Sequence, residues 1–155
     1  MSQSRRACGQ CTATTAKGNR CRKRTCRSGL CWQHLKRDSG LRIRPSGVPG
    51  AGLGLFAAAE FKRGDVIAPY EGEKLTRRRV DERYGDETAQ YVLCRDASHC
   101  VDASASNASA ARFANDARGT DKRNNARYRG FNIAATRTVR PGDEILVPYG
   151  REYWR

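Results

Sequence analysis

One pattern in this 155-residue chain occurs twice in outline. Leu55-Phe56-Ala57 leads through Phe61-Lys62-Arg63-Gly64-Asp65-Val66-Ile67 to Pro69-Tyr70. Ile133-Ala134-Ala135 leads in the same way through Val139-Arg140-Pro141-Gly142-Asp143-Glu144-Ile145 to Pro148-Tyr149. Short apolar runs on either side of a Gly-Asp turn are strand signals. Two such units toward opposite ends of a domain predict a mainly β, layered fold of short strands, not a parallel sheet with crossover helices. Leu41-Arg42-Ile43-Arg44 alternates as a strand should, and Leu53 to Ala59 and Val66 to Tyr70 read as strands joined by a turn at Lys62 to Asp65. A lone helix is predicted from Lys74 to Tyr84, with Thr76 as its cap.

Before this region the sequence changes character. Ser39-Gly40 and Pro45-Ser46-Gly47-Val48-Pro49-Gly50 punctuate the change, so the boundary falls near Gly40, with residues 1–40 as a small module and 41–155 as the main domain. Five of the seven cysteines lie between Cys8 and Cys31, in a stretch with almost no apolar residues. That density favours metal over disulfides, and a reducing compartment. Cys31-Trp32-Gln33-His34 has a spacer that lets a thiolate and an imidazole reach one ion. Zinc suits such a sulfur and nitrogen set and folds segments too small for a core of their own. Candidate ligands are Cys8, Cys11, Cys21, Cys26, Cys31 and His34, and the pairing of Cys8 with Cys11 is as plausible by spacing alone as any other choice.

The net charge of +14 is unevenly spread. Met1 to Pro45 carries twelve Lys and Arg against Asp38 alone, which places +11 of that charge in the first 45 residues. A segment of this kind is drawn to phosphate backbones by counterion release. No run approaches the ~20 apolar residues that a membrane span needs, and no secretory segment is evident, so a soluble, intracellular protein is expected.

Gly50-Ala51-Gly52-Leu53-Gly54 is not a nucleotide loop: it lacks the Gly-Lys-Ser/Thr ending, and a strand pattern follows where a helix would hold phosphate. Its glycines still permit close approach of backbone to a ligand. Cys94, His99 and Cys100 show no spacing for a nucleophile and its base, and read as strand core and turn.

Taken in order, Gly52-Leu53-Gly54-Leu55-Phe56-Ala57, Gly64-Asp65, Tyr70-Glu71-Gly72-Glu73, Tyr91, Val101-Asp102-Ala103, Arg112-Phe113-Ala114-Asn115, Asn125, Gly142-Asp143-Glu144 and Tyr149-Gly150 resemble the SET-domain protein lysine methyltransferases, from about Leu41 to the end of the chain. The resemblance implies the SET fold of small β-sheets, with a C-terminal pseudoknot in which the Asn115 and Tyr149 segments pass each other. It also implies S-adenosyl-L-methionine (SAM) as cofactor and a lysine, on histones by analogy, as methyl acceptor. Gly52, Leu53, Gly54, Tyr91, Arg112, Phe113, Asn115, Asp116, Tyr149 and Trp154 then bind the cofactor, and Tyr149 and Tyr91 are the catalytic candidates. Val147 stands where many members have an aromatic residue that limits the number of methyl groups added.

The sequence departs from the family at Asp116, where His is usual, and at Ala117-Arg118, where Ser-Cys is usual. No cysteine-rich segment follows the core. Tyr153 and Trp154 are placed to close the lysine channel, with adenine stacking as the alternative for Trp154. The N-terminal segment resembles a three-Cys-one-His motif of large DNA virus proteins, which selects Cys11, Cys21, Cys31 and His34 as zinc ligands and leaves a viral source open. Together these features imply a nuclear or chromatin-associated enzyme whose basic module meets DNA or nucleosomes. The alternative is a zinc-dependent nucleic-acid-binding protein with a non-catalytic SET-like domain.

Overall fold

The computed structural model describes residues 8–105 and 108–150. The N-terminal segment forms β1 (Gly9–Gln10), β2 (Arg24–Thr25) and α1 (Trp32–Ser39). Sequence pattern points only to the helix near Lys74 to Tyr84, and α1 is an addition to it. Its residues are mostly polar, and one face buries His34 and Leu35. Lys36 and Arg37 favour its C-terminal end. Gly40, left-handed at φ 63°, closes it by donating its N–H to the Lys36 carbonyl at 3.0 Å. Leu35 joins the core that contains Leu41 and Leu55.

Four cysteines are disulfide-bonded, Cys8 with Cys26 and Cys94 with Cys100; the first pair corrects the expectation of metal over disulfides in the N-terminal segment, and the second joins two residues read only as strand core and turn. Strand register is the reason. Gly9 faces Thr25 across β1 and β2, which sets Cys8 opposite Cys26, and Cys94 faces Cys100 directly. The α-carbons are 4.3 and 4.0 Å apart.

The main domain runs β3 (Leu41–Pro45), β4 (Leu53–Ala57), β5 (Val66–Pro69), β6 (Glu73–Leu75), α2 (Arg77–Tyr84), β7 (Val92–Asp96), β8 (His99–Asp102), a helical turn at Ala110–Phe113, β9 (Ala126–Arg129) and β10 (Asn132–Ala135). Thr76 caps α2 as expected, its hydroxyl accepting from the Arg79 N–H at 3.2 Å. Its neighbours Glu73, Lys74 and Leu75 are strand, not helix.

The two recurring units do not fold as two separate hairpins; they complete one another. β4 pairs with β3 from Leu41↔Ala57 to Pro45↔Leu53, whereas β5 pairs with β10 through Ile133↔Ala68. Phe61 and Val139 exchange both backbone hydrogen bonds at 2.8 Å. Ile145 donates to the Leu55 carbonyl at 2.7 Å and Ala57 to that of Asp143 at 2.9 Å. Each corner is closed by the same device: Asp65 accepts from the Lys62 N–H at 2.8 Å and Asp143 from the Arg140 N–H at 2.9 Å. Between the units Leu55, Ile133, Val139, Ile145 and Val147 are fully buried.

Beside this core lies the sheet β6-β8-β7. Asp102 ties it to α2, accepting from Tyr84 Oη at 2.6 Å and Arg83 Nη1 at 2.9 Å, with the Ser104 N–H on its other oxygen at 3.0 Å. Burial alone would raise the Asp102 carboxyl, but the hydrogen bonds from Tyr84, Ser104 and Arg83 outweigh it and hold the group below its usual range. A depressed carboxylate stabilises the fold fully above its unfolded value of ~4, and that stability is lost as pH falls through the lower folded value. In urea titrations the destabilisation by Asp102→Asn should therefore be largest near neutral pH and shrink toward the acid limit; a penalty that does not change with pH would contradict this account.

Candidate active site and metal centre

The chain crosses itself where Asn115 runs parallel to Leu146. Val147 donates its N–H to the Asn115 carbonyl at 2.8 Å. Asn125 bridges the same strand with its amide, giving a hydrogen bond to the Glu144 carbonyl and taking one from the Leu146 N–H, both at 2.9 Å. Only a side chain that both donates and accepts can do this. Tyr149 emerges from the crossing with its hydroxyl donating to the Ala114 carbonyl at 2.7 Å and its N–H to Asp116 Oδ2 at 2.8 Å.

Asp116 thus performs a structural task at the position where the family's histidine was expected. Buried, it also accepts from the Arg118 N–H at 2.9 Å and from Asn124 Nδ2 at 3.2 Å. Three donors converge on one carboxylate, and a charged acceptor suits that load.

Besides an open dip shared with Lys122 and Asn124, Tyr149 lines two cavities. One, of about 520 Å³, is lined by the loop from Val48 to Leu53 with Tyr91, Phe113, Asn115, Asp116 and Arg118. The other, of about 430 Å³, is lined by Tyr70, Tyr84 and Tyr128, with Arg77, Asp81, Asp86 and Glu87 around it. Arg112, Gln90 and Tyr149 contribute to both. The first has the size of an ordinary small-molecule site.

Its wall is built by close approach. Gly52 has φ 73°, a conformation that L side chains rarely adopt. The Leu53 carbonyl accepts from Asn115 Nδ2 at 2.9 Å. A Cβ on Gly54 would collide with the Glu144 carboxylate, which holds the preceding turn through Ser46 Oγ at 2.5 Å and the Gly47 N–H at 3.0 Å. Tyr91 packs edge-on to Phe113, ring centres 6.3 Å apart, and lines the glycine-side cavity but not the acidic one. Gly52, Leu53, Tyr91, Arg112, Phe113, Asn115, Asp116 and Tyr149 are therefore gathered around one cavity, with Gly54 behind its wall. Tyr153 and Trp154 lie outside the described residues.

Three further residues belong to this neighbourhood and were not picked out as site residues from the sequence. Tyr70 and Tyr128 meet edge-on, ring centres 6.1 Å apart, in the cavity on the other side of Tyr149, and burial pushes the Tyr70 phenol well above its usual range. The recurrence of the two units, which sets Tyr70 at the position of Tyr149, was the signal for Tyr70. Arg118 reaches the glycine-side cavity from the dipeptide that departs from the family pattern. Of the acidic residues that could serve a basic peptide, Asp81, Asp86 and Glu87 flank the tyrosine-lined cavity, whereas Glu71, Glu73 and Glu82 face a separate open groove between α2 and β8. The exposed His99 ring hydrogen-bonds the Asp96 carboxylate at 2.7 Å, away from Tyr149.

At the other end of the chain, the donor atoms of Cys11, Cys21, Cys31 and His34 all lie within 4.8 Å of one another, and all four residues are buried. His34 Nδ1 is 3.4 Å from both Cys11 Sγ and Cys31 Sγ. Such separations match the edges of a tetrahedron with metal–sulfur and metal–nitrogen bonds of about 2.3 and 2.0 Å. Burial opposes a charged Cys11, but the Cys31 and Ala13 N–H groups and the His34 ring outweigh it and bring the thiol down to about 7; burial and the neighbouring Cys11 push Cys31 up. The set fits zinc, and four protein ligands leave no position for a substrate.

A fold of small sheets whose C-terminal segments cross beside a glycine-lined cavity defines the class. The SET domain family model matches residues 52–150, and the chain belongs to the SET-domain family. It is 35% identical over 126 residues to histone-lysine N-methyltransferase PRDM7 of Homo sapiens, covering 77% of this chain and 25% of that protein. It is 29% identical over 116 residues to histone-lysine N-methyltransferase set-17 of Caenorhabditis elegans, covering 72% of this chain and 41% of that one. The chain thus spans a quarter of the first relative's length and about two fifths of the second's.

Removing the Asp116 carboxylate strands the Tyr149, Arg118 and Asn124 donors. Asp116→Ala should lower stability by about 1–3 kcal/mol in chemical denaturation, and Asp116→Asn, which keeps one carbonyl acceptor, by less; equal stability of all three proteins would refute the assigned role.

Proposed function

We propose that this protein is a SAM-dependent protein lysine N-methyltransferase that acts on histone tails in chromatin. The observation that carries the reading is the position of Tyr149 between a glycine-lined cavity and an acid-flanked, tyrosine-lined one. Residues 41–155 form the catalytic domain and residues 1–40 a zinc-bearing basic module that meets DNA or nucleosomes, which implies a nuclear site of action. Among the described residues no helix is long and apolar enough to cross a membrane.

Methyl transfer to an amine needs alignment of the two reactants and exclusion of water more than it needs a strong acid. The bound cofactor would supply the electrophilic methyl group and a positive charge that lowers the pKa of a nearby lysine. On this reading Gly52, Leu53 and Gly54 admit the cofactor against their backbone. Asn115, Asp116 and Arg118 border its polar end, and Arg112, Phe113 and Tyr91 form the opposite wall. A phenol that donates its proton to the Ala114 carbonyl presents its oxygen as an acceptor, so Tyr149 orients the amine by one hydrogen bond. Tyr70 and Tyr128 enclose the lysine stem, and Asp81, Asp86 and Glu87 attract the basic residues around it. Cys11, Cys21, Cys31 and His34 would hold zinc as a folding element. The set of bonds on Asp116 favours this reading over a non-catalytic SET-like domain, because the departure from the family comes with an arrangement that still holds Tyr149.

Labelled methyl transfer from SAM to core histones and assembled nucleosomes tests the reading. Tyr149→Phe should reduce transfer at least about a hundredfold without loss of cofactor binding; undiminished transfer would remove Tyr149 from the mechanism, and no label with no cofactor binding would remove the enzyme. Replacing Arg22, Lys23 and Arg24 with alanine should lower transfer on nucleosomes and spare it on free histones. Elemental analysis should find one zinc per chain, and Cys21→Ser should lower it.

A further inference from the structure

Arg112 is only 4% exposed, and its guanidinium joins parts of the chain that are distant in sequence. Nη1 donates to the carbonyls of Ala103 at 2.9 Å and Ala105 at 2.5 Å, while Nη2 donates to the carbonyl of Arg27 at 2.8 Å, 85 residues away. Its plane lies against Phe113 and Tyr91, 4.7 and 5.4 Å from their ring centres. Both aromatics line the cavity assigned to the cofactor. One buried cation thus rests on the cofactor wall and grips the N-terminal module.

The grip falls on the loop between the Cys8–Cys26 disulfide and the metal ligand Cys31. Arg27 lies between β2 and Cys31, in a segment held by local bonds: Ser28 Oγ to the Leu30 carbonyl at 2.7 Å, Thr12 N–H to that of Gly29 at 3.0 Å, and Cys31 N–H to Cys11 Sγ at 3.3 Å. The module's own core is Cys11, Ala13, Cys21 and Cys31, with Leu30 against it. The Cys8–Cys26 disulfide holds the start of this loop, and an ion that fixes Cys11 and Cys31 fixes its other end, so that the Arg27 carbonyl between them is set by both. A buried guanidinium cannot lose an acceptor cheaply, so a displaced Arg27 moves Arg112 and the two rings beneath it.

We propose that metal occupancy of the Cys11, Cys21, Cys31 and His34 cluster and cofactor occupancy of the glycine-side cavity are thermodynamically coupled, each tightening the other, with Arg112 as the positioning residue. This rests on the zinc and SAM assignments made above. Coupling between binding sites is reciprocal, so it can be read from the metal side without any turnover.

The experiment is competition for zinc between the full-length zinc-loaded protein and a chromophoric chelator, with and without saturating S-adenosylhomocysteine. Calorimetry of S-adenosylhomocysteine and elemental analysis of zinc run alongside. Wild type should hold zinc about tenfold more tightly with S-adenosylhomocysteine present. Arg112→Lys keeps the charge but not the planar fork; it should weaken S-adenosylhomocysteine binding because Arg112 lines the cavity, and at concentrations that saturate the variant the mutual effect should fall to less than about twofold. Hydrogen exchange in wild type gives a measure independent of any variant: S-adenosylhomocysteine should slow exchange in peptides covering residues 27–31 as well as those lining the cavity. Binding of both ligands with no mutual effect, or protection confined to the cavity, overturns the coupling, and full coupling in a folded Arg112→Lys overturns the role of Arg112. Absence of zinc or of any S-adenosylhomocysteine binding would instead overturn the functional assignment, and this inference with it.

Discussion

The site depends on one crossing of backbone over backbone. Asn115 and Leu146 meet in parallel with almost no sheet around them, yet the peptide groups there are buried and need partners. Two asparagines provide what a neighbouring strand would have provided. Asn125 both donates to and accepts from the 144–146 segment, and Asn115 reaches the Leu53 carbonyl. The Asn115 amide thereby fixes the distance between the crossing and the glycine-lined loop, so the same bonds that satisfy the backbone set the width of the cavity. Asp116 extends the arrangement by one residue and takes the Tyr149 N–H, which leaves the tyrosine little freedom to rotate away from the Ala114 carbonyl.

The crossing is possible because the two corner units interlock. Had each closed on itself as a hairpin, the chain would contain two independent ribbons, and isolated two-stranded ribbons are marginal in water. Each unit instead lends a strand to the other, and the fully buried Leu55, Ile133, Val139, Ile145 and Val147 lie where they meet. The exchange also explains why Tyr70 and Tyr149, the closing residues of the two units, line one cavity from two sides. A repeat in sequence has become a pair of walls.

This distinction marks what could be read from the sequence. Turn chemistry and local caps were legible: the Gly-Asp corners, Thr76 at the head of α2, and the alternation of Leu41 to Arg44 all act within a few residues. The spacing of Cys31 and His34 marked a metal-binding pair, but the choice of Cys11 and Cys21 over Cys8 and Cys26 as its companions came from the resemblance to the three-Cys-one-His motif, since spacing alone left it open. Strand partners were not legible, since β4 and β5 choose β3 and β10 through burial that involves the whole chain. Helix α1 escaped notice because the residues around its buried pair are polar and its support comes from the neighbouring strand and the cysteine cluster. The disulfides follow from cross-strand register, which spacing does not reveal. Asp116 looked like a loss when compared with the family's histidine, and only its three donors show what the carboxylate does.

On the proposed reading, the charge distribution solves a conflict that the total hides. A chain of net charge +14 should repel a basic peptide, but screening limits surface fields to about 8 Å at physiological salt. What a lysine-bearing tail meets at the tyrosine-lined cavity is then decided locally, by Asp81, Asp86 and Glu87 against Arg77 and the buried Arg112. The excess positive charge resides in the N-terminal segment, where phosphate is the fitting partner: Arg22, Lys23 and Arg24 are exposed, and Asp38, the segment's one acid, pairs with Arg37. A nucleosome offers both surfaces at once, basic tails and phosphate backbone, and two weak attractions held on one rigid chain raise the effective concentration of the tail at the cavity without any new contact.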